Sequence, residues 1–167
     1  VFSLVEWAGG LDGMIDTRKI NQEDLDLICQ HRVAMFTDGG RRTEHELTAM
    51  DTSFRKWLEP RLKDETYFGF ISSDDQTPIA GVGLMELDWP PHPSHPEDGR
   101  RGYVLNLFVD PKYRKQGIAK NLMRLADNEF KERDIQYAIL HSTSAARPVY
   151  EQIGWRPTAE MAKLYRK

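Results

Sequence analysis

The sequence predicts one mixed α/β domain, a sheet covered by helices on both faces. Three observations predict it. Stretches whose apolar residues recur at helical spacing interleave with short runs rich in β-branched and aromatic residues. The two patterns meet in Tyr103 to Ala126, which reads as strand, turn, glycine loop and helix. The length, 167 residues with 40% hydrophobic content, suits one core and is short for two.

In chain order, residues 1–14 are expected to be an N-terminal extension and 15–167 a single domain. Val1 to Gly13 has no clear periodicity, holds three glycines and lacks an initial methionine, so it reads as a trimmed or vector-altered end draped over the domain. Ile15 to Ile20 reads as a first strand. Asn21, followed by Gln22-Glu23-Asp24, is a helix start, with a capping side chain and early acidic residues. The helix is expected to run to about Phe36, carrying Leu25, Ile28, Cys29, Val33 and Phe36 on its core face, and Thr37-Asp38-Gly39-Gly40 breaks it. Thr43 and Glu46 form a capping box for a second helix bearing Leu47, Met50, Phe54, Trp57 and Leu58. Pro60 is expected to end or kink it.

Thr66 to Ser72 and Ile79 to Leu87 predict an antiparallel hairpin across Ser73-Asp74-Asp75-Gln76, with Gly81 and Gly83 thinning its second strand. The proline-dense run Asp88 to Gly99 predicts a stiff loop, long enough to overhang a site. His92 and His95, near Asp88, Glu97 and Asp98, match no zinc spacing, so no metal is expected. The loop reads instead as a rim that sorts substrates, its histidines and carboxylates holding an amine. Tyr103 to Val109 reads as the central buried strand, stopped by Asp110-Pro111. From Ile118 a helix carries Leu122, Leu125, Ala126 and Phe130 on one face. Gln136 to Ser142 predicts a further strand, and Thr143-Ser144 lead into a short helix that tolerates Pro148 in its first turn and closes at Gly154. Trp155 and the run Ala159 to Tyr165 are expected to supply the last strands.

The formal net charge of −3 gives no reason to expect nucleic-acid binding. No apolar run is long enough to span a bilayer and nothing resembles a signal peptide, so a cytoplasmic protein without membrane contact is expected. The single cysteine, Cys29, excludes an intramolecular disulfide and falls on an apolar helical face, where it reads as core.

The chemistry concentrates in Arg114-Lys115-Gln116-Gly117-Ile118-Ala119. A glycine that lets the backbone come close, the unpaired amides of a helix start and two basic side chains suit a diphosphate. A glycine before a helix with basic neighbours also occurs in chains that bind nothing. The chain lacks both Gly-x-x-x-x-Gly-Lys-Ser/Thr and Gly-x-Gly-x-x-Gly, which argues against a nucleotide-phosphate binder.

The whole stretch resembles the GNAT superfamily of N-acetyltransferases, whose acetyl-CoA loop reads Arg/Gln-x-x-Gly-x-Gly/Ala after a strand ending in Val-x-Pro. Here Val109-Asp110-Pro111 precedes the matching loop. Ala146 to Trp155 similarly resembles the family's Ala-x-x-x-Tyr-Glu-x-x-Gly-Phe segment. The resemblance covers about the C-terminal third of the chain. It implies a mixed, mostly antiparallel sheet of six to seven strands with a splayed central pair and about four helices. It implies acetyl-CoA as co-substrate and a primary amine, of a small molecule or a peptide, as acceptor. Backbone groups of Leu107, Phe108 and Val109 would pair with the pantetheine arm, and one N–H would steady the oxyanion. Arg114 to Ala119 would hold the diphosphate, with Thr143 bonding the cofactor where many relatives have asparagine.

By the same resemblance Tyr150 is the acid that protonates the leaving thiolate, or a ring that packs on the cofactor and orients the sulfur. A lysine-like amine is over 3 units from neutral at pH 7, a cost of roughly 4 to 5 kcal/mol unless a base helps. Some relatives use a glutamate near the start of the central strand; Tyr103 stands there in this chain. Glu86, Asp88 and His141 are the replacement candidates, acting directly or through water. Met35, Phe36, Arg41 and Arg42, between the first two helices, and Asp88 and Trp89, opening the long loop, are expected acceptor contacts, although Arg41 and Arg42 also fit a solvated loop. A non-catalytic acyl-CoA-binding module of the same fold is the alternative. Dimers are frequent in such folds, but no heptad or apolar patch identifies an interface.

Overall fold

A computed structural model describes residues 15–165, so the expected N-terminal extension lies outside the described residues. The chain opens with β1 (Ile15–Lys19). A single 3-10 turn, Gln22–Asp24, then leads into α1 (Leu25–Asp38). Asn21 caps the turn by accepting from the Glu23 N–H at 2.8 Å, while its own N–H donates to Asp24 at 2.8 Å. The second capping box also forms. Glu46 N–H donates to the Thr43 hydroxyl at 3.2 Å and Thr43 N–H to the Glu46 carboxylate at 2.9 Å, opening α2 (Glu44–Lys63).

Pro60 does not end α2, which runs on to Lys63. The ring removes one intrahelical donor, but only the last turn remains beyond it. Leu58 and Leu62 are both buried there, and Arg61 Nη1 donates to the Trp57 carbonyl at 2.7 Å.

β2 (Tyr67–Asp74) and β3 (Thr77–Asp88) form the expected hairpin. Its loop is shorter than the sequence suggested, because Asp75 and Gln76 alone make the turn, both at positive φ (43° and 65°), as the right-handed twist of a two-residue hairpin requires. β4 (Arg100–Val109) starts three residues earlier than expected and pairs antiparallel with β3. After a 3-10 turn at Pro111–Tyr113 come α3 (Ile118–Glu132), β5 (Ala138–Leu140) and α4 (Arg147–Glu151).

The sheet order follows the chain, β1-β2-β3-β4-β5, antiparallel throughout except for the parallel β4/β5 pair. Helices cover both faces. Ile118, Leu122, Met123, Ala126 and Phe130 of α3 pack on one face against Val82, Leu84 and Val104. Ile28 and Cys29 of α1 with Phe54, Leu58 and Leu62 of α2 pack on the other around Tyr67. Cys29 is core, as expected.

Among the described residues the sheet has five strands, not six or seven. Trp155 and Ala159 to Tyr165 form no strand. Pro157 removes a ladder donor in that segment, β5 offers only 3 residues of edge, and Met161, Leu164 and Tyr165 stay exposed. The proline-dense loop is anchored to the domain rather than overhanging it. His95 is fully buried and stacks on Tyr137 with centroids 5.2 Å apart. Its Nδ1 bonds the Asp98 carbonyl oxygen at 3.0 Å, and the Asp98 carboxylate accepts from the Arg100 N–H at 3.1 Å and the Gln136 N–H at 3.3 Å. Among the described residues no helix is long and apolar enough to cross a membrane.

Two close approaches hold the α1 face. A Cβ on Gly83 would lie 1.9 Å from the Tyr67 hydroxyl, and one on Gly81 would lie 3.2 Å from His31 Nδ1. His31 stacks on Phe108 at 4.5 Å, and burial pulls its pKa down to about 4.

Gly83→Ala therefore should destabilise the fold by about 1 to 3 kcal/mol, because Tyr67 is walled in and has nowhere to move. Urea unfolding measures this; an unchanged midpoint would show that the Tyr67 ring does not rest over β3. Below pH 6.5 the unfolded chain protonates His31 while the folded imidazole stays neutral to about pH 4. Stability should thus fall by roughly 2 to 3 kcal/mol as the pH drops from 7 to 4. Thermal unfolding of His31→Gln should lack most of that slope.

Candidate active site

The site begins where β4 and β5 part. They pair only at Gly102↔Ala138, Tyr103↔Ile139 and Val104↔Leu140, so from Leu105 onward the β5-facing edge of β4 has no strand partner. On its other side β4 shifts register against Gly81 and Gly83, and Asn106 takes a positive φ of 55° at that irregularity. Asparagine tolerates this conformation better than most residues. The result is a wedge whose wall is the backbone of Leu105 to Val109, the stretch that contains the expected Leu107, Phe108 and Val109.

The loop beyond β4 has the expected form. Asp110 caps the 3-10 turn through the Lys112 N–H at 2.9 Å. Lys115 and Gly117 both take positive φ, 63° and 82°, which turns successive amides to one side. The first backbone bond of α3 runs from the Asn121 N–H to the Gly117 carbonyl at 3.0 Å. Among the described residues the N–H groups from Lys115 through Lys120, which include Gln116, Ile118 and Ala119, find no acceptor. No atom lies within 4 Å of where a Gly117 Cβ would stand, so the left-handed backbone explains this glycine better than crowding does.

Arg114 is held by groups of the protein itself. Its Nε donates to the Val109 carbonyl at 3.0 Å and its Nη2 pairs with Asp38 at the end of α1. The guanidinium thus braces the loop, and Lys115 beside it is exposed.

Across the wedge, Tyr150 of α4 is 8% exposed and packs in the α3-side core. Burial pushes its phenol above the ordinary tyrosine value, and its hydroxyl has no partner among the described residues. The Thr143 hydroxyl accepts from the Ala146 N–H at 3.2 Å and keeps its own proton free to donate. Tyr103 and His141 meet as well: the Tyr103 hydroxyl lies 2.8 Å from His141 Nδ1.

The other expected residues scatter. Glu86 accepts from Arg100 Nη1 and from Arg133 Nη1, each at 3.2 Å, within a network that continues through Glu129 to Lys19. Phe36 lies beside the α1 guanidinium of Arg32, 5.1 Å from its ring centroid. Arg41 is exposed in the α1–α2 turn. Asp88 pairs in register with Arg100 and Ala80 with Val109, so Asp88 and Trp89 lie at the opposite end of β4 from the amide loop. Trp89 carries the Arg101 guanidinium over its ring at 4.2 Å.

Three residues at the site escape a reading from sequence: Asp38, Arg32 and Asn106. Asn106 carried a signal, a strand-averse residue inside a predicted strand. Arg32 carried another, a cation four residues before Phe36 on the apolar face of α1. Asp38 read only as a helix breaker. An open groove of about 380 Å³ between α1 and α2, lined by Cys29, Val33, Asp51 and Arg55, holds none of the expected catalytic or cofactor residues. Among the described residues no group of three or more His, Cys, Asp or Glu side chains is placed to hold a metal.

The free amides fit an anionic group, and the open β4 edge fits an extended arm with amides of its own. Comparison with known proteins points the same way. Residues 43–163 match the model of the acetyltransferase (GNAT) domain. The structure superposes on a GCN5-related N-acetyltransferase from Ralstonia eutropha JMP134 with a TM-score of 0.87 and 48% identity, covering 90% of this chain and 98% of that one. It superposes on a predicted acetyltransferase from Clostridium acetobutylicum, solved with acetyl-CoA, with a TM-score of 0.82 and 27% identity, covering 91% and 96%. Among curated proteins, human N-alpha-acetyltransferase 30 is 32% identical over 74 residues, which is 42% of this chain and 20% of that protein. The match thus spans about a fifth of the length of that relative.

Proposed function

The chain belongs to the GNAT acetyltransferase family, and we propose that it moves the acetyl group of acetyl-CoA directly to a primary amine of a small molecule or a peptide. The observation that carries this reading is the unpaired run of amides from Lys115 to Lys120 beside an unpaired edge of β4. Acetyl-CoA supplies the acyl thioester; the C–N bond forms as the C–S bond breaks, the amine gives up a proton and the departing sulfur takes one.

This chain's residues divide that work. The amides of the loop hold the diphosphate, with Lys115 adding charge. The β4 backbone from Leu107 to Val109 aligns the pantetheine arm, and the Thr143 hydroxyl donates to it. Tyr150 holds the proton for sulfur. Its raised pKa keeps the phenol protonated through neutral pH, and a phenol can give that proton to a thiolate of similar basicity at low cost.

For the amine proton, we favour the Tyr103–His141 pair as the acceptor. Glu86 is engaged by two arginines, Arg100 and Arg133. A phenol hydrogen-bonded to an imidazole offers two groups in series along which a proton can be relayed.

Acetyl-CoA at a hundredfold excess over its dissociation constant should stabilise the protein by about 2.7 kcal/mol. Thermal unfolding should show this for acetyl-CoA and CoA and not for ATP; no shift with either CoA species would overturn the reading. Stabilisation without thiol release on any amine would leave a non-catalytic acyl-CoA-binding module. In a thiol-release assay Tyr150→Phe should lower kcat by roughly 10² to 10⁴ while the acetyl-CoA-induced thermal shift persists. An unchanged kcat would assign Tyr150 to packing alone.

A further inference from the structure

Arg32 is the least explained charge in the molecule. It projects from the core face of α1, where its Nη1 donates to Asn106 Oδ1 at 2.6 Å. Its guanidinium lies over the rings of Phe54 and Phe36, 4.5 and 5.1 Å from their centroids. The Nε is buried and has no partner, and Nη2 makes no hydrogen bond among the described residues. No carboxylate pairs with it there either. The ionisable groups that bear on it are Tyr67, Tyr103 and Cys29, all neutral at pH 7, and its burial pulls its pKa down from the ordinary arginine value. Arg101 and Arg133 are shielded too, but each has a counter-ion, Glu160 for Arg101 and Glu86 and Glu129 for Arg133, while half-buried Arg61 donates to the Trp57 carbonyl.

A half-buried cation without a counter-ion costs free energy in the empty protein. The aromatic faces recover part of that cost. What they leave unpaired is the side of the guanidinium formed by Nε, which is itself buried, and Nη2, a charged donor that can meet a carboxylate oxygen. The position adds direction, because Asn106 stands at the β3/β4 irregularity, two residues beyond Val104, where the pairing of β4 with β5 ends.

We propose that the acceptor amine carries a carboxylate and that Arg32, oriented by Asn106 and flanked by Phe36 and Phe54, binds that carboxylate. The assignment rests on the acetyl-transfer reading above and narrows its substrate class. A carboxylate suits the site better than a phosphate because Arg32 is a lone cation: no second lysine or arginine bears on it, and a phosphate near pH 7 carries about two charges.

The test uses amines that differ only in acid versus amide: glycine, β-alanine, γ-aminobutyrate and 6-aminohexanoate, each beside its carboxamide, with phosphoethanolamine as the phosphate probe. Thiol release should favour at least one acid over its amide by roughly 10- to 100-fold in kcat/KM, expressed in KM. Arg32→Gln should bring that ratio close to one, and Arg32→Lys should retain only part of it. Acetyl-CoA-induced thermal stabilisation of each variant verifies that it is folded. Equal treatment of acids and amides, a ratio that survives Arg32→Gln, or a preference for phosphoethanolamine over every acid would overturn the proposal. If no amine is acetylated, calorimetric titration of the same pairs into the CoA-saturated protein decides the matter. A preference for acids that depends on Arg32 upholds the subsite while the transfer reading fails, and its absence overturns the subsite.

Discussion

The parting of β4 from β5 beyond Val104 is the constraint on which the rest of the structure depends. A parallel pair that continued would satisfy the β4 backbone and leave no wedge. Because β5 is only 3 residues long, the edge of β4 is left open at the level where α3 presents its unpaired amides. The open edge of β4 and the unpaired amides of the loop that follows it are thus adjacent in space because they are adjacent in sequence. Asp110 and the 3-10 turn at Pro111–Tyr113 fix the angle between them.

The two faces of the sheet are built differently. The α3 face is apolar, with Leu122, Met123 and Ala126 fully buried, and it gives the loop a rigid base. Its charged rim is internally neutralised: burial would push Glu129 up, but Lys19 and Arg133 outweigh it and hold the carboxyl below its ordinary value. The α1/α2 face instead keeps polar groups in the interior, namely His31, Arg32, Tyr67 and Asn106. Such groups are costly to bury and specify position closely when satisfied.

Local rules made much of this legible. The capping boxes at Asn21 and Thr43, the β2/β3 hairpin and the loop from Arg114 to Ala119 each depend on residues within a few positions of one another, and each formed as expected. What stayed illegible was decided at long range. Pro60 reads as a breaker until Arg61 and the buried leucines around it are placed. Glu86 reads as an available base because Arg133, 47 residues away, is invisible from its neighbourhood. The segment after Trp155 reads as strand by composition, yet strand formation needs an edge to pair with, and no local pattern reports whether that edge is free. Arg114 carries the motif by identity, while the direction of its side chain depends on Asp38, 76 residues distant.

Tyr67, Gly83, Asn106 and Arg32 are joined in one chain of contacts. The Tyr67 hydroxyl sits where a Gly83 side chain would be. It accepts from Asn106 Nδ2 at 3.0 Å, and Asn106 in turn accepts from Arg32. Four positions spread over 75 residues therefore drift as a unit: a side chain at 83 requires a smaller residue at 67, the loss of that hydroxyl frees the amide at 106, and a freed amide unseats the guanidinium at 32. Relatives that have changed one of these positions are expected to have changed the others with it, which makes this quartet a marker for lineages within the family that share this packing.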